Sequence, residues 1–455
     1  MVLALFLLVW ITHAFSPNAT PFDSRWTVHT ALSILREGNT DLDEYRDLLA
    51  KDGFYGIECV GAGGRRTYPV RRQSPCAPGH LYNFYPVAVP LLALPAVFVA
   101  DKGLAVAQPW LRPLIERTPA GVRRTFLEGN LAGSSALVEI LIASLIIAAA
   151  TLVVYFIARE FLPRIYSVVL GLLFAFCTPA WSTASRGLWQ HGPSMLMLAI
   201  ALLLVLRAER RPALIRFAGV PLLFAFFVRP TNIVPLAALS LFVLVHHRRR
   251  FVSYLLWAVP VALLFVAYDL AVYGSVLAPY FFAARPGAPG LALHPRIFEA
   301  LLGNWISPAR GLLTFVPVFL LSIYGMLLAP PSTQAKRLRW YLVVIVALHW
   351  VLISLYEDWW GGHSFGPRYF SDMTPYFVYF LIPVVGRSRA GLWSLRKVAL
   401  ASAFVVLTAA SFFVHYQGAM RWTSYAWNVE PVDINRAPSR LWDWKDPPFL
   451  RSMRR

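Results

Sequence analysis

Long apolar runs separated by short segments rich in Lys and Arg occupy most of this chain. A helix needs about 20 apolar residues to cross a hydrocarbon core of about 30 Å. The strongest runs fall at residues 131–158, 165–181, 193–206, 213–228, 233–245, 251–272, 311–329, 340–356, 374–386 and 398–415. Together with Met1 to Phe15 they predict about eleven transmembrane helices. Met1 to Phe15 would measure about 22 Å as a helix. It is expected as a retained span, because no Lys or Arg precedes it and Thr12-His13-Ala14 departs from a small-residue cleavage pattern. The run from Val87 to Ala100 carries Pro90 and Pro95, which predicts a re-entrant or surface-lying helix rather than a crossing.

Charge then orients the spans. With the N-terminus cytoplasmic and residues 86–101 not crossing, the segments Arg159 to Arg164, Arg207 to Arg211, His246 to Arg250, Lys336 to Arg339 and Arg387 to Lys397 all fall inside. This satisfies the positive-inside rule, from which a long first loop with Arg65, Arg66, Arg71 and Arg72 is largely exempt. The fold class expected is an all-α polytopic membrane protein. Its transmembrane domain covers residues 1–415, with a long first extracytoplasmic loop at 16–130 and an extracytoplasmic tail at 416–455.

Composition agrees: 58% of residues are hydrophobic and only 14% charged, against roughly 25% charged in soluble domains. The formal charge of +19 sits largely in inter-span clusters, and no soluble domain presents it, so nucleic acid is set aside as a partner. No phosphate-binding loop, Gly-x-Gly-x-x-Gly context or Cys-x-x-Cys appears. Cys59 and Cys76 share the first loop. Outside the cytoplasm they could pair and close a loop worth about 3 kcal/mol, or stand as two unrelated thiols.

Candidate chemistry gathers on the outer side. Asp23 lies just past the first apolar segment, where a carboxylate costs little and a lipid-borne substrate would present its head group. A solvated loop aspartate or helix cap is the plainer reading. Residues 357–369 pack Asp358, Trp359, Trp360, His363 and Arg368 around glycines; the aromatic faces suit a sugar, and Arg368 suits a phosphate through bidentate hydrogen bonds. Arg186, His191, Arg229 and Arg310 stand at or near outer span ends, where an arginine alone also reads as a snorkelling residue.

An acid shortly after the first span, a long outer loop holding Tyr85-Pro86 and a short apolar helix, and then a bundle of spans resemble the GT-C glycosyltransferases. The likeness is best over about the first 250 residues. These membrane enzymes take sugars from polyprenyl-phosphate carriers and include protein mannosyltransferases and aminoarabinose transferases of lipid A. Trp359 to Tyr369 is also similar to a segment of bacterial members. The resemblance implies that Asp23 is the catalytic base, that a polyprenyl-phosphate-linked sugar is the donor, and that the acceptor is a lipid, glycan or protein. Many members carry a second acid beside the first, and here Ser24 stands in that place. No particular metal is assigned, although Asp41, Asp43, Glu44 or His80 could bring a divalent ion. A lipid phosphate leaves as a stable anion, so one carboxylate base and cationic support suffice. The alternative class is a transporter or flippase, for which Glu139 and Asp269 are the candidate intramembrane acids; a receptor or scaffold is a third. A bacterial inner membrane is the expected location.

Overall fold

The computed structural model describes residues 1–64, 66–67, 76, 78–282, 292–328, 330, 332–389 and 394–453. Arg65, Arg71 and Arg72 of the first loop, residues 283–291 of the outer segment 274–310 and residues 390–393 of the basic segment 387–397 lie outside the described residues.

The chain is mostly helical. Among the described residues five helices are long and apolar enough to cross a membrane: Ala88–Arg117, Ser135–Arg159, Arg248–Tyr273, Thr333–Ser354 and Leu395–Met420. Six shorter apolar helices of 10–17 residues accompany them, Val2–Ala14 and His191–Arg207 included. The expected count of about eleven spans is therefore not confirmed. Some runs read as single spans are also interrupted: that at 311–329 divides into Leu312–Phe315 and Phe319–Leu327, with Pro317 between them, where a missing N–H cannot continue the ladder.

Residues 86–101 differ from expectation as well. The helix there does not stop at Ala100 but runs 30 residues, from Ala88 to Arg117, with Pro95, Pro109 and Pro113 inside it. Asp101 and Lys102 do not end it, since Asp101 pairs with Arg36 at 2.6 Å and with Lys102 at 3.1 Å. Its length no longer argues against a crossing.

The central element is Ser135–Arg159, which packs against Val2–Ala14, Arg164–Phe176 and His191–Arg207. Its buried face includes Ala143, Ser144, Ala148, Ala150 and Thr151, small residues that let helices approach closely where lipid supplies no hydrophobic contrast. The same device joins Phe319–Leu327 to Thr374–Arg389: a Cβ on Gly325 would lie 1.8 Å from the Phe380 carbonyl oxygen.

The first loop adds a small antiparallel sheet of order β2-β1-β3, formed by β1 (Ile57–Gly61), β2 (Arg66–Thr67) and β3 (Gly79–Asn83). Cys59 faces Leu81 across β1 and β3 and is disulfide-bonded to Cys76, with Cα atoms 5.5 Å apart. Trp26, Leu42, Leu49, Ile57 and Leu81 close a separate core beneath them. Trp26 also donates its indole N–H to the Tyr55 carbonyl at 2.7 Å, which ties this lobe to the segment carrying Asp23.

Candidate active site

Segments distant in sequence meet at Asp23. Its loop follows the first helix and is fixed to residues 186–191. The buried Arg186 guanidinium donates to the carbonyls of His13, Ser16 and Asn18, its own carbonyl accepts from Thr20 N–H at 2.7 Å, and Trp189 donates to the Thr20 carbonyl at 2.6 Å. The Asp23 carboxylate then accepts from Tyr55 Oη at 2.6 Å and from the Arg368 guanidinium.

Arg368 arrives from the far end of the chain on the short helical turn Arg368–Met373. Just before it, Gly366 has φ +71°, and a Cβ there would lie 2.5 Å from the Phe315 ring, so glycine is required for the turn that presents the arginine. Its guanidinium lies 4.1 Å from the centre of the Trp189 ring, a cation–π arrangement. Its Nε donates to His191 Nε2 at 3.3 Å. The other ring nitrogen, Nδ1, lies 2.9 Å from Asp372 Oδ1 and 3.1 Å from Arg229 Nη1. The other Asp372 oxygen accepts from Arg229. Asp23, Arg368, His191, Asp372 and Arg229 thus form one hydrogen-bonded chain, with Asp372 fully buried and His191 and Arg229 nearly so.

The carboxylates stay ionised in it. Burial would raise the pKa of Asp23, but the Arg368 charge and hydrogen bonds from Tyr55 and Tyr85 outweigh it and hold the group at about 2. Asp372 follows the same logic: burial pushes upward, and Arg229 and His191 more than offset it, leaving the carboxyl below its ordinary value.

A cavity of about 530 Å³ opens beside this chain. Gln190, His191, Arg229, Asp358 and Arg368 form its polar part, and Phe226, Ile233, Phe281, Leu352 and Tyr356 its apolar part, the mixture typical of a site for an amphipathic ligand. Asp23 lines a separate recess of about 20 Å³, which shares Tyr85, Gln190, His191 and Arg368 with the larger cavity. Arg368 therefore stands between the carboxylate and the cavity.

Other residues singled out from the sequence are placed elsewhere. Arg186, expected at the substrate, has its donors committed to backbone carbonyls and lines neither space. Trp359 and Trp360, expected as sugar platforms, are 1% and 3% exposed and pack with Trp427, Ile434 and Leu441; they are core residues of the segment 357–369. His363 lies 2.9 Å from Asp433, away from the lining of either space. Arg310 donates to the carbonyls of Trp360 and Gly362 and to Asn428, bracing the segment that leads to Arg368. Glu139 and Asp269 both have partners at loops: Glu139 accepts from Ser24 and Leu188, and Asp269 from Ala278 N–H at 2.9 Å.

Asp372 and Tyr55 escaped the sequence reading, and Tyr85 stands there only as part of Tyr85-Pro86, without a role at the carboxylate. For Asp372 a signal existed, since an acid at the foot of the apolar run 374–386 is costly without a partner. Tyr55 gave none, because its role depends on the folded first loop.

As for a metal, ligand atoms of Asp41, Asp43 and His80 lie within 4.8 Å of one another. Both Asp43 oxygens are already engaged, one by Arg46 and Leu81 N–H and the other by His80, while Glu44 accepts from Ser33 instead. At Asp23 a divalent ion would have to displace Arg368. Neither place is a fitted metal site.

No curated protein matches the sequence. The matched portion in a comparison with family models contributes Glu139, Trp189, Gln190, His191 and Arg229, whereas Asp23, Arg368 and Asp372 lie beyond its limits. Residues 127–271 match the family model described as dolichyl-phosphate-mannose-protein mannosyltransferase, a likeness to membrane glycosyltransferases over that part of the chain.

Proposed function

We propose that the protein transfers a sugar from a polyprenyl-phosphate carrier to an acceptor hydroxyl at the outer face of the membrane, in a bacterial inner membrane with the N-terminus cytoplasmic and the C-terminus outside. The observation that carries this reading is the position of Arg368, which touches Asp23 on one side and lines the large cavity on the other.

In this reading the donor phosphate enters the cavity and is held by Arg368 and Arg229, while its lipid chain follows the apolar wall. The phosphate competes with Asp23 for Arg368. As the guanidinium turns toward the phosphate, Asp23 keeps its tyrosine hydrogen bonds but loses its cation, and its basicity rises from the low value of the resting pair. The acceptor oxygen attacks the anomeric carbon and gives its proton to Asp23. The bond between that carbon and the phosphate oxygen breaks, its electron pair stays with the phosphate, and the lipid phosphate departs with one more negative charge. Arg368 and Arg229 stabilise that developing charge, as oriented cations in a dry site do. The leaving group needs no general acid.

The test is release of lipid phosphate from a panel of polyprenyl-phosphate sugars by purified protein. Asp23→Asn is expected to abolish release and leave expression and membrane insertion unchanged. Full activity in that variant would overturn the mechanism. Substrate-dependent flux in proteoliposomes without turnover of any donor would instead favour the transporter class.

A further inference from the structure

Glu139 is a fully buried acid that the proposed reaction does not use. It lies early in the helix Ser135–Arg159, and one of its oxygens, Oε2, accepts two hydrogen bonds: from the Ser24 hydroxyl and from Leu188 N–H at 3.1 Å. Ser24 is 3% exposed and Leu188 1%, and both line the small recess at Asp23. Ser24 is the immediate neighbour of Asp23. Leu188 precedes Trp189, against which Arg368 stacks, and lies three residues before His191, to which Arg368 donates. One carboxylate oxygen therefore joins the segment that carries the acid to the segment that seats its cationic partner. The other oxygen, Oε1, has no hydrogen-bond partner among the described residues. A buried oxygen without a partner carries a desolvation cost, so an apolar residue would be the cheaper occupant if the position served packing alone.

We infer that Glu139 is a positioning residue: by accepting from Ser24 and Leu188 it sets the separation between Asp23 and the Trp189–His191 segment on which Arg368 rests. This deepens the proposed function and rests on it for its catalytic consequence. The side-by-side pair of acids absent from the sequence at Asp23 and Ser24 has a spatial counterpart, since Ser24, in the turn before Thr27, reaches a carboxylate on the helix Ser135–Arg159. That carboxylate acts on the loop and not on the substrate.

The test separates loop position from turnover. In an Asp23→Cys background the other cysteines are disulfide-bonded (Cys59–Cys76) or buried (Cys177), so labelling by a methanethiosulfonate reagent reports the exposure of position 23. Adding Glu139→Leu or Ser24→Ala is expected to speed labelling roughly three- to tenfold, the scale of one lost buried hydrogen bond. Glu139→Gln is expected to leave the rate unchanged, because the amide oxygen still accepts both bonds. With Asp23 retained, Glu139→Leu and Ser24→Ala are expected to lower kcat for lipid-phosphate release by a similar factor while donor KM holds, with Glu139→Gln restoring it. Ser24→Ala removes a single hydroxyl and carries the test should Glu139→Leu fail to fold. Equal labelling in all backgrounds would overturn the inference, whatever the activity of Asp23→Asn. Altered labelling together with a fully active Asp23→Asn would keep the positioning role and sink the catalytic reading.

Discussion

Asp23 and Arg368 are 345 residues apart in sequence, and each is the other's charge partner. Their side chains are 18% and 17% exposed, enough shielding for the pair to matter and enough access for a phosphate to break it. The pKa of Asp23 in the folded protein is about 2, below the ordinary 3.8. A carboxyl lowered by folding stabilises the fold above its unfolded pKa, and that stabilisation is lost as pH falls through the folded value. The difference in melting temperature between wild type and Asp23→Asn is therefore expected to stay level from pH 8 to about 5 and to shrink below about pH 4. A difference that widened on acidification would contradict the pairing. Arg186 shows the other use of a buried arginine: its guanidinium holds three backbone carbonyls and is not free to meet a ligand.

At the scale of elements, the first loop is a folded lobe with its own core and not merely a connection between helices. Three strands, a disulfide and the apolar cluster around Trp26, Leu49 and Leu81 hold it, and Tyr55 extends from it to Asp23. Replacing Cys59 and Cys76 by serine removes a cross-link worth about 3 kcal/mol. The expected result is faster amide exchange in β1 and β3 with unchanged exchange in Ser135–Arg159, read by mass spectrometry. Unchanged exchange in β1 and β3 of the serine variant would show that the lobe does not depend on the bridge. The long helix Ala88–Arg117 follows this lobe directly, so a loosened lobe would also loosen Tyr85 at the foot of that helix, where it borders both the recess and the cavity.

At the scale of the molecule, the site is assembled from both ends of the chain around a central bundle. The final segment braces it: Trp427, Ile434 and Leu441 cover Trp359 and Trp360, and Asn428 accepts from Arg310. These contacts fix residues 357–366, from which Arg368 emerges. Ending the chain after Arg421 is expected to leave the membrane bundle inserted and to reduce lipid-phosphate release roughly hundredfold, the scale of a misplaced reacting group. Wild-type turnover in that truncated protein would show that the segment is dispensable.

The apolar runs by themselves determined that this is a helical membrane protein, because transferring so much hydrocarbon surface into lipid leaves the chain no soluble alternative. The local composition around Asp23 and Arg368 likewise marked both as chemically interesting. Tertiary structure alone decided which charges meet. Arg186, Arg229 and Arg368 look alike in sequence, yet one is spent on backbone carbonyls, one on Asp372 and one on Asp23. Trp359 and Trp360 have the composition of a sugar platform and lie in a core. Helix ends moved for the same kind of reason: paired charges let Ala88–Arg117 continue past Asp101, while Pro317 interrupted an apolar run. Hydrophobicity is additive along the chain and can be read there, whereas a charge or an aromatic face takes its role from whatever long-range neighbour satisfies it.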